Sequence, residues 1–394
     1  MATPSRRSVL GLLGVAPVAA LAAGPALATQ GSGRLPGTLR PGGELDRLVA
    51  DRAARDQFSG SLLLTNRGRT VLARSYGMAD LGRDVKNGPG TAFALASVTK
   101  LFTATAVAQL VRQGKVSHNG TLGTYVDGVP DALRDITVHH LLTHTSGLGD
   151  YHGMPGFREE SATWTSAAQV MSGITGYVLR STPMFAPGAG WAYSNSGYHL
   201  LGEIVARASG TPYHDYVREH VFAAAGMTGA DFVTKPRWLT DRNVAHPYRR
   251  DEQGRWTDTV AEFGFVGTPA GEAFATAADL DRFARLLYRE RLVDGPATHL
   301  MLSGKVPPGP PPGGGNPPPP SGRPAWTVFQ CYGPQGTLLG GQWSYGHTGG
   351  NPAGIATAVE FFPDSDWVLV VLTNHADTPM REIVETARGL ITGT

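Results

Sequence analysis

The strongly apolar stretch from Ala94 to Gly114 most constrains what this chain can fold into. Leucine, valine, phenylalanine and alanine would occupy almost every side of the helix that these residues form. A helix with that pattern is typical of the middle of a domain rather than its surface. The sequence therefore predicts one central helix over residues 94–114, enclosed by other elements.

Two polar residues near the start of this predicted helix break the apolar pattern. Ser97 and Lys100 are three positions apart, which places their side chains on one face of a helix. Burial lowers the pKa of a lysine, so Lys100 would be a suitable base for the hydroxyl of Ser97. The alternative is a helix-capping serine beside a lysine whose amine reaches solvent. The Ser-x-x-Lys pattern alone does not decide between the two.

The first 28 residues have the layout of an export signal. Arg6 and Arg7 precede an apolar run rich in alanine and glycine, and residues 26–28 (Ala-Leu-Ala) offer a small-residue cleavage site. The paired arginines favour the twin-arginine route. The alternative is a membrane anchor, but two prolines and several glycines make a poor spanning helix. We therefore expect an exported protein that is cleaved near Ala28 and has no stable membrane anchor.

The rest of the chain is formally neutral. The sequence has 34 lysine and arginine residues against 32 aspartate and glutamate residues. Arg6 and Arg7 are the only charged residues in the predicted signal, so the two signs balance after its removal. A neutral chain argues against nucleic acid or an anionic membrane as the main partner.

The order of predicted elements suggests one sheet built from both ends of the chain, with helices between them. Residues 61–65 and 70–75 form a predicted hairpin around a glycine-containing turn, and β-rich runs return near the C-terminus. The expected parts are a signal (1–28), a flexible lead-in (29–43) and one domain (44–394). Within that domain we expect a sheet lobe (44–92 and 325–394), a helical lobe (93–305) and a proline- and glycine-rich loop (306–324).

Two further stretches are unusual for loops. The first, residues 187–198, carries Tyr193 and Asn195 just before a predicted helix, and alternate residues of an extended segment point the same way. The alternative is a packed tyrosine and a helix-capping side chain. The second, residues 345–350, contains His347 and a glycine-rich backbone that can approach a ligand closely. Its alternative is a β-bulge or a hairpin.

Together, the three stretches match a known signature. Serine penicillin-recognising enzymes carry Ser-x-x-Lys, a Ser/Tyr-x-Asn element and a Lys-Thr-Gly element. Here Ser97-Val98-Thr99-Lys100, Tyr193-Ser194-Asn195 and His347-Thr348-Gly349 occur in that order. On these motifs the chain resembles the class C β-lactamase-like serine hydrolases, from about residue 44 to the C-terminus. That group includes penicillin-binding D-Ala-D-Ala carboxypeptidases, family VIII esterases, D-amino-acid amidases and some acyltransferases.

The resemblance implies an α/β (α+β) fold of the β-lactamase/transpeptidase type, in which helices flank an antiparallel sheet and a helical lobe is inserted. It implies that a serine attacks a carbonyl carbon to form an acyl-enzyme. The sequence contains no His-Glu-x-x-His or paired-cysteine metal spacing, so we expect no metal or other cofactor. The implied roles are catalysis by Ser97, Lys100 and Tyr193, substrate binding by Asn195, His347, Thr348 and Gly349, and an oxyanion hole from the backbone N–H groups of Ser97 and Gly350. Tyr193 would act partly as phenolate or as a relay beside Lys100, because a free phenol is a poor base at neutral pH.

Two positions depart from the class C β-lactamase pattern. His347 stands where those enzymes usually carry lysine, and a histidine is charged only part of the time near neutral pH. It would supply polarity or positive charge at the wall of the cleft. Gly350 lacks the side chain that helps to hold a β-lactam carboxylate in some relatives. Both departures favour a less anionic acyl donor, such as an ester or a small amide.

The sequence leaves three functions open. The main hypothesis is an exported serine hydrolase that acts through an acyl-serine on a peptide, an amide or an ester. The first alternative is an acyltransferase of the same fold, which passes the acyl group to an amine or an alcohol. The second is a penicillin-binding or sensing protein that is acylated without turnover. In each case the expected partner is a small molecule or a peptide, and the sequence does not indicate an oligomeric state.

Overall fold

The computed structural model describes residues 35–309 and 327–394. The predicted export signal lies outside these ranges, as do residues 29–34 of the lead-in and 310–324 of the proline-rich loop. Within the described ranges, no helix combines the length and the hydrophobicity needed to cross a membrane.

A seven-stranded antiparallel sheet forms the largest layer of the domain, in the order β2-β1-β13-β12-β11-β10-β9. The described strands are β1 (Gly60–Asn66), β2 (Arg69–Tyr76), β3 (Met78–Asp80), β4 (Val85–Lys86), β5 (Phe93–Ala94), β6 (Tyr248–Arg250), β7 (Trp256–Asp258), β8 (Phe274–Ala275), β9 (Thr327–Gln330), β10 (Gln335–Leu339), β11 (Gln342–Asn351), β12 (Ile355–Phe362) and β13 (Trp367–Thr373). β1 and β2 form the predicted hairpin. β13 lies between β1 and β12 with all seven residues buried, as expected for an interior strand.

Helices cover the sheet, and most of them lie in the part of the chain between its two groups of strands. The described α-helices are α1 (Glu44–Ala54), α2 (Lys100–Arg112), α3 (Leu122–Tyr125), α4 (Asp131–Arg134), α5 (Val138–Leu142), α6 (Phe157–Ser161), α7 (Ala167–Leu179), α8 (Asn195–Ser209), α9 (Tyr213–Val217), α10 (Lys235–Trp238), α11 (Ala277–Tyr288), α12 (Gly295–Leu302) and α13 (Met380–Thr392). The sheet thus joins strands from both ends of the described chain, with α2–α12 between them. An antiparallel sheet flanked by helices confirms the predicted fold class.

The central helix is buried as predicted, but its predicted start is wrong. Ten of the thirteen residues of α2 are buried, and α2 packs against α8. The helix begins only at Lys100, because Ala94 ends strand β5 and residues 96–99 form a 3-10 turn. Ala96 has a φ of 44°, a left-handed conformation that costs energy in a residue with a side chain. Ser97 therefore lies in a constrained turn in front of the regular helix.

Candidate active site

Ser97 and Lys100 meet where this 3-10 turn passes into α2. The Lys100 amine lies 3.2 Å from the Ser97 hydroxyl oxygen. It also donates to Oδ1 of Asn195 at 2.8 Å and to the carbonyl of Ala270 at 2.6 Å. Lys100 is 0% exposed, so the alternative in which its amine reaches solvent is wrong.

The burial of Lys100 prepares it to act as a base. Burial lowers the pKa of its amine from 10.5 to about 7, against the opposing effect of the negative charges of Glu272 and Asp150. Near neutral pH a large fraction of the amine is therefore unprotonated and has a lone pair to accept a proton. A general base is most effective when its pKa lies near the working pH.

We expect kcat/KM for a neutral ester to rise with pH through one ionisation near pH 7. The reactive form is the neutral amine, and it replaces the ammonium as the pH passes the pKa of Lys100. Initial rates with a p-nitrophenyl ester, corrected for spontaneous hydrolysis, measure this profile, and kcat/KM reports the free enzyme. A profile that falls through pH 7, or stays flat across it, would contradict this role for Lys100.

Tyr193 completes the contact around the Ser97 hydroxyl. Its phenol hydrogen-bonds to Ser97, and its ring centroid lies 4.8 Å from the amine of Lys100. Tyr193 as a whole is 37% exposed, but desolvation of its phenol end raises the pKa of Tyr193 above its usual value, and the bond to Ser97 acts in the opposite direction. Of the two expected states of Tyr193, the structure therefore disfavours the phenolate. A neutral phenol can still relay a proton between Ser97 and Lys100.

His144 holds the Tyr193 segment in place. Its ring lies 4.5 Å from the Tyr193 ring, and its Nδ1 accepts the backbone N–H of Ser194 at 3.1 Å. Its own carbonyl accepts the backbone N–H of Ala192 at 2.9 Å. Burial keeps the pKa of His144 well below its usual value, so the ring is neutral. His144 is a structural residue that fixes the loop in front of α8.

Asn195, the first residue of α8, connects the amine of Lys100 to the carboxylate of Asp150. Its amide nitrogen donates to Oδ2 of Asp150 at 2.7 Å, and Oδ1 of Asp150 lies 2.7 Å from Nδ1 of His152. Both ends of the Asn195 amide are thus engaged in the free protein. To bind a substrate amide, as the resemblance implies, Asn195 would have to exchange one of these partners.

Strand β11 passes very close to the 3-10 turn of residues 96–99, which carries Ser97 and is called the nucleophile turn below. A Cβ on Gly349 would lie 2.3 Å from the Leu95 carbonyl oxygen and 3.0 Å from the backbone nitrogen of Ser97, so this position requires glycine. Gly350 is different, because the nearest atom to its Cβ would be 3.9 Å away. Thr348 and Gly350 are both exposed, as substrate contacts require. β11 pairs with β12 without a bulge, so the bulge alternative for this stretch is wrong. The hairpin alternative is confirmed, because β11 and β12 are antiparallel neighbours joined by residues 352–354.

His347 is buried on β11, with its ring centroid 6.4 Å from that of Tyr193. Burial, together with the charge of Lys100, lowers the pKa of His347 to about 4. The ring is therefore neutral at physiological pH. His347 supplies polarity to the cleft wall, and the alternative in which it supplies positive charge is wrong for this structure.

Sequence reasoning missed the two carboxylates near Lys100, Asp150 and Glu272. Glu272 has a φ of 62°, and its backbone N–H donates to the Ala96 carbonyl at 3.2 Å. Burial raises the pKa of the Glu272 carboxyl, whereas a hydrogen bond from Asn351 favours its charged form. Neither acid lies in one of the three motif-bearing stretches, so no local pattern pointed to it. Both acids interact electrostatically with the amine of Lys100 and favour its charged form.

A family profile described as Beta-lactamase matches residues 45–393. Penicillin-binding protein 4* of Bacillus subtilis (strain 168) is 32% identical over 269 residues, which cover 63% of this chain and 56% of that protein. Esterase EstB of Burkholderia gladioli is 33% identical over 205 residues, which cover 47% of this chain and 50% of that protein. The chain thus spans about half the length of the curated relatives that it matches.

A solved structure shows the same fold along most of the chain. The penicillin-binding protein from Bacillus halodurans aligns with a TM-score of 0.73 and 26% sequence identity, covering 86% of this chain and 98% of that one. The family match spans the Ser-x-x-Lys, Tyr-x-Asn and His-Thr-Gly elements. Since that match extends over residues 45–393, this protein belongs to the beta-lactamase family.

Proposed function

We propose that the protein is an exported serine hydrolase that acts through an acyl-Ser97 intermediate on neutral esters or small amides. The observation that carries the proposal is the buried amine of Lys100, which lies 3.2 Å from the Ser97 hydroxyl and has a pKa of about 7. A serine hydroxyl is a weak nucleophile until an adjacent base removes its proton. Export rests on the layout of residues 1–28 alone.

Acylation begins with attack of the Ser97 oxygen on the carbonyl carbon of the substrate. The hydroxyl proton passes to the Lys100 amine, directly or through the Tyr193 phenol. The oxyanion that forms accepts hydrogen bonds from the backbone N–H groups of Ser97 and Gly350, each worth roughly 10²–10³ in rate. When this intermediate collapses, the bond to the leaving group breaks. The leaving alcohol or amine takes up the proton, and an acyl ester remains on Ser97.

Deacylation repeats these steps with water as the nucleophile. Lys100 accepts a proton from the attacking water, and the new oxyanion occupies the same pair of N–H groups. The acyl ester bond then breaks, and the proton returns to the Ser97 oxygen. The free acid leaves, so atoms and charge balance over the cycle. If an amine or an alcohol replaces water at this stage, the same site performs acyl transfer.

The charges around the site favour a neutral acyl donor. His347 is neutral at physiological pH, so it offers no fixed cation to a substrate carboxylate. Asp150 and Glu272, which act electrostatically on Lys100, are acids and add no cation for a substrate carboxylate. A β-lactam or a D-Ala-D-Ala peptide carries a carboxylate, whereas a simple ester or amide does not. We therefore place esters and small amides ahead of carboxylate-bearing substrates.

The test combines turnover with intact-mass spectrometry. The protein is incubated separately with p-nitrophenyl butyrate, benzylpenicillin, a D-Ala-D-Ala peptide and D-phenylalanine amide, and any adduct is located by peptide mapping. We expect continuing turnover of the ester and an adduct that maps to Ser97. Ser97→Ala is the control and should give no adduct.

Two outcomes would overturn the proposal. A stable penicillin adduct on Ser97 without turnover of the ester or the amide would indicate the penicillin-binding or sensing alternative. A product ratio that shifts towards the conjugate when an amine or an alcohol is added would indicate acyl transfer. Steady release of free acid that is insensitive to added nucleophile supports hydrolysis.

A further inference from the structure

A cavity of about 330 Å³ lies beside the catalytic residues. Its size falls within the lower part of the range usual for small-molecule sites. Much of its wall is aromatic, from Tyr151, Phe157, Trp164, Trp238, Phe263 and Phe274, and the valine and isoleucine side chains of α7 extend the apolar surface. None of the predicted catalytic residues has a role in this wall, so the mechanism above leaves the cavity unused.

The aromatic wall is preformed. The ring of Trp238 packs edge-on against Phe274, with centroids 4.8 Å apart, and lies 5.0 Å from Phe263. On the other side Phe157 packs edge-on against Trp164 at 5.8 Å. Rings that are held by one another lose little freedom when a ligand enters, so the binding of apolar surface is not offset by ordering of the wall.

Three polar residues of the cavity wall connect it to the catalytic centre. His152 pairs with Asp150, which accepts the amide of Asn195. Glu272 donates its backbone N–H to the carbonyl of Ala96, the residue before the nucleophile. Asn351 directly follows Gly350, whose N–H is a proposed oxyanion donor. Each of these wall residues is therefore separated by at most one residue from Asn195, Ser97 or Gly350 of the site.

The position of the proton donor shows on which side of the site the leaving group of a substrate lies and on which side its acyl group lies. A leaving group must reach the Tyr193 phenol or the Lys100 amine to take up its proton, and neither residue lines the cavity within the described part of the chain. We consider a substrate whose carbonyl oxygen lies between the N–H groups of Ser97 and Gly350. The substituent on the side of the carbonyl opposite the leaving group can then extend along β11 towards Asn351. That substituent is the acyl group, which stays on the enzyme through both half-reactions.

We propose that this cavity binds the apolar part of the acyl group, so that the enzyme prefers medium-length alkyl or aryl-alkyl acyl donors to acetyl donors. The inference rests on the proposed function, because it assigns the acyl side of the same reaction. The aromatic and aliphatic residues of the cavity wall select for apolar surface.

The first test is a series of p-nitrophenyl esters from acetate to octanoate, together with 3-phenylpropionate. Each methylene that moves from water into the cavity should raise kcat/KM about fourfold, until the cavity is full. We expect hexanoate and 3-phenylpropionate to exceed acetate by at least about tenfold. A second series varies the alkyl chain on the alcohol side of a fixed acid and should show the weaker dependence.

The second test changes the cavity itself. Val170 and Ile174 lie one turn apart on α7 and both line the cavity. Val170→Phe should lower kcat/KM for hexanoate at least about tenfold while acetate changes less than about threefold. Ala168→Phe adds the same ring to the exposed side of α7 and is the matched control. Ile174→Ala enlarges the cavity and should move the optimum to a longer acyl chain, which keeps the test decisive if Val170→Phe does not fold.

The outcomes separate this inference from the proposed function. Turnover of acetate with no dependence on acyl length, an equal loss of acetate and hexanoate in Val170→Phe, or a stronger dependence on the alcohol chain would each overturn the cavity assignment and leave the hydrolase intact. Failure to turn over any ester would overturn the proposed function itself. A length dependence that the α7 variants shift in the stated directions supports the assignment.

Discussion

Ser97→Ala and Lys100→Met are each expected to lower kcat for a neutral ester by at least about 10³-fold. The first removes the attacking oxygen, and the second removes the amine that lies 3.2 Å from it. Because the two groups act in one step, the double variant should be no slower than the slower single variant. Steady-state rates with p-nitrophenyl butyrate measure these losses, and thermal unfolding establishes that each variant is folded.

Lys100→Arg is the control that distinguishes a base from a fixed charge. A guanidinium is always protonated in proteins, so it keeps a positive charge but cannot accept a proton from Ser97. We expect Lys100→Arg to lose nearly as much activity as Lys100→Met. If the arginine variant kept a tenth or more of the wild-type rate, Lys100 would act through its charge, and the assignment of the base would be wrong.

Gly349→Ala is expected to lower kcat by at least about 10²-fold, the usual effect of losing one oxyanion-hole donor. The added Cβ would meet the Leu95 carbonyl at 2.3 Å and the Ser97 nitrogen at 3.0 Å, both of which are backbone atoms. Either β11 or the nucleophile turn has to move, and both carry a proposed oxyanion donor. The measurement is kcat per acylatable site, titrated by the burst of p-nitrophenol.

Gly346→Ala provides the matched control in the same strand. A Cβ there would lie 2.1 Å from the Val359 carbonyl, so the clash is as severe, but it faces β12 rather than the nucleophile turn. We expect Gly346→Ala to lower the melting temperature while kcat of the folded protein changes less than about fivefold. Equal losses of kcat in the two variants would show that Gly349 acts only through the stability of β11.

The sequence predicted the elements whose pattern is local. The β1–β2 hairpin follows from spacing that a few consecutive residues determine. The nucleophile turn was missed because the apolar pattern continues across it. Its left-handed Ala96 is held by distant residues, among them Glu272, which donates to the Ala96 carbonyl. Local propensity is overridden where tertiary contacts decide.

The candidate site was predicted as a set of residues but not as an electrostatic environment. The structure brings Ser97, Lys100 and Tyr193 together as their motifs indicated. The pKa of Lys100 depends instead on its burial, which the acids Glu272 and Asp150 oppose. The neutrality of His347 depends on burial and on the charge of Lys100. A motif states which side chains are present, whereas a pKa depends on everything packed around them.

The pairing of β1 with β13 has a consequence for biosynthesis. Gly60 pairs with Thr373, more than 300 residues later. On the ribosome the β1–β2 hairpin must wait for the synthesis of about 300 further residues before its apolar neighbour β13 emerges, and such distant pairing slows folding. A nascent chain that stops before Trp367 would expose the edge of β1, so quality control would meet an aggregation-prone intermediate in every prematurely terminated copy.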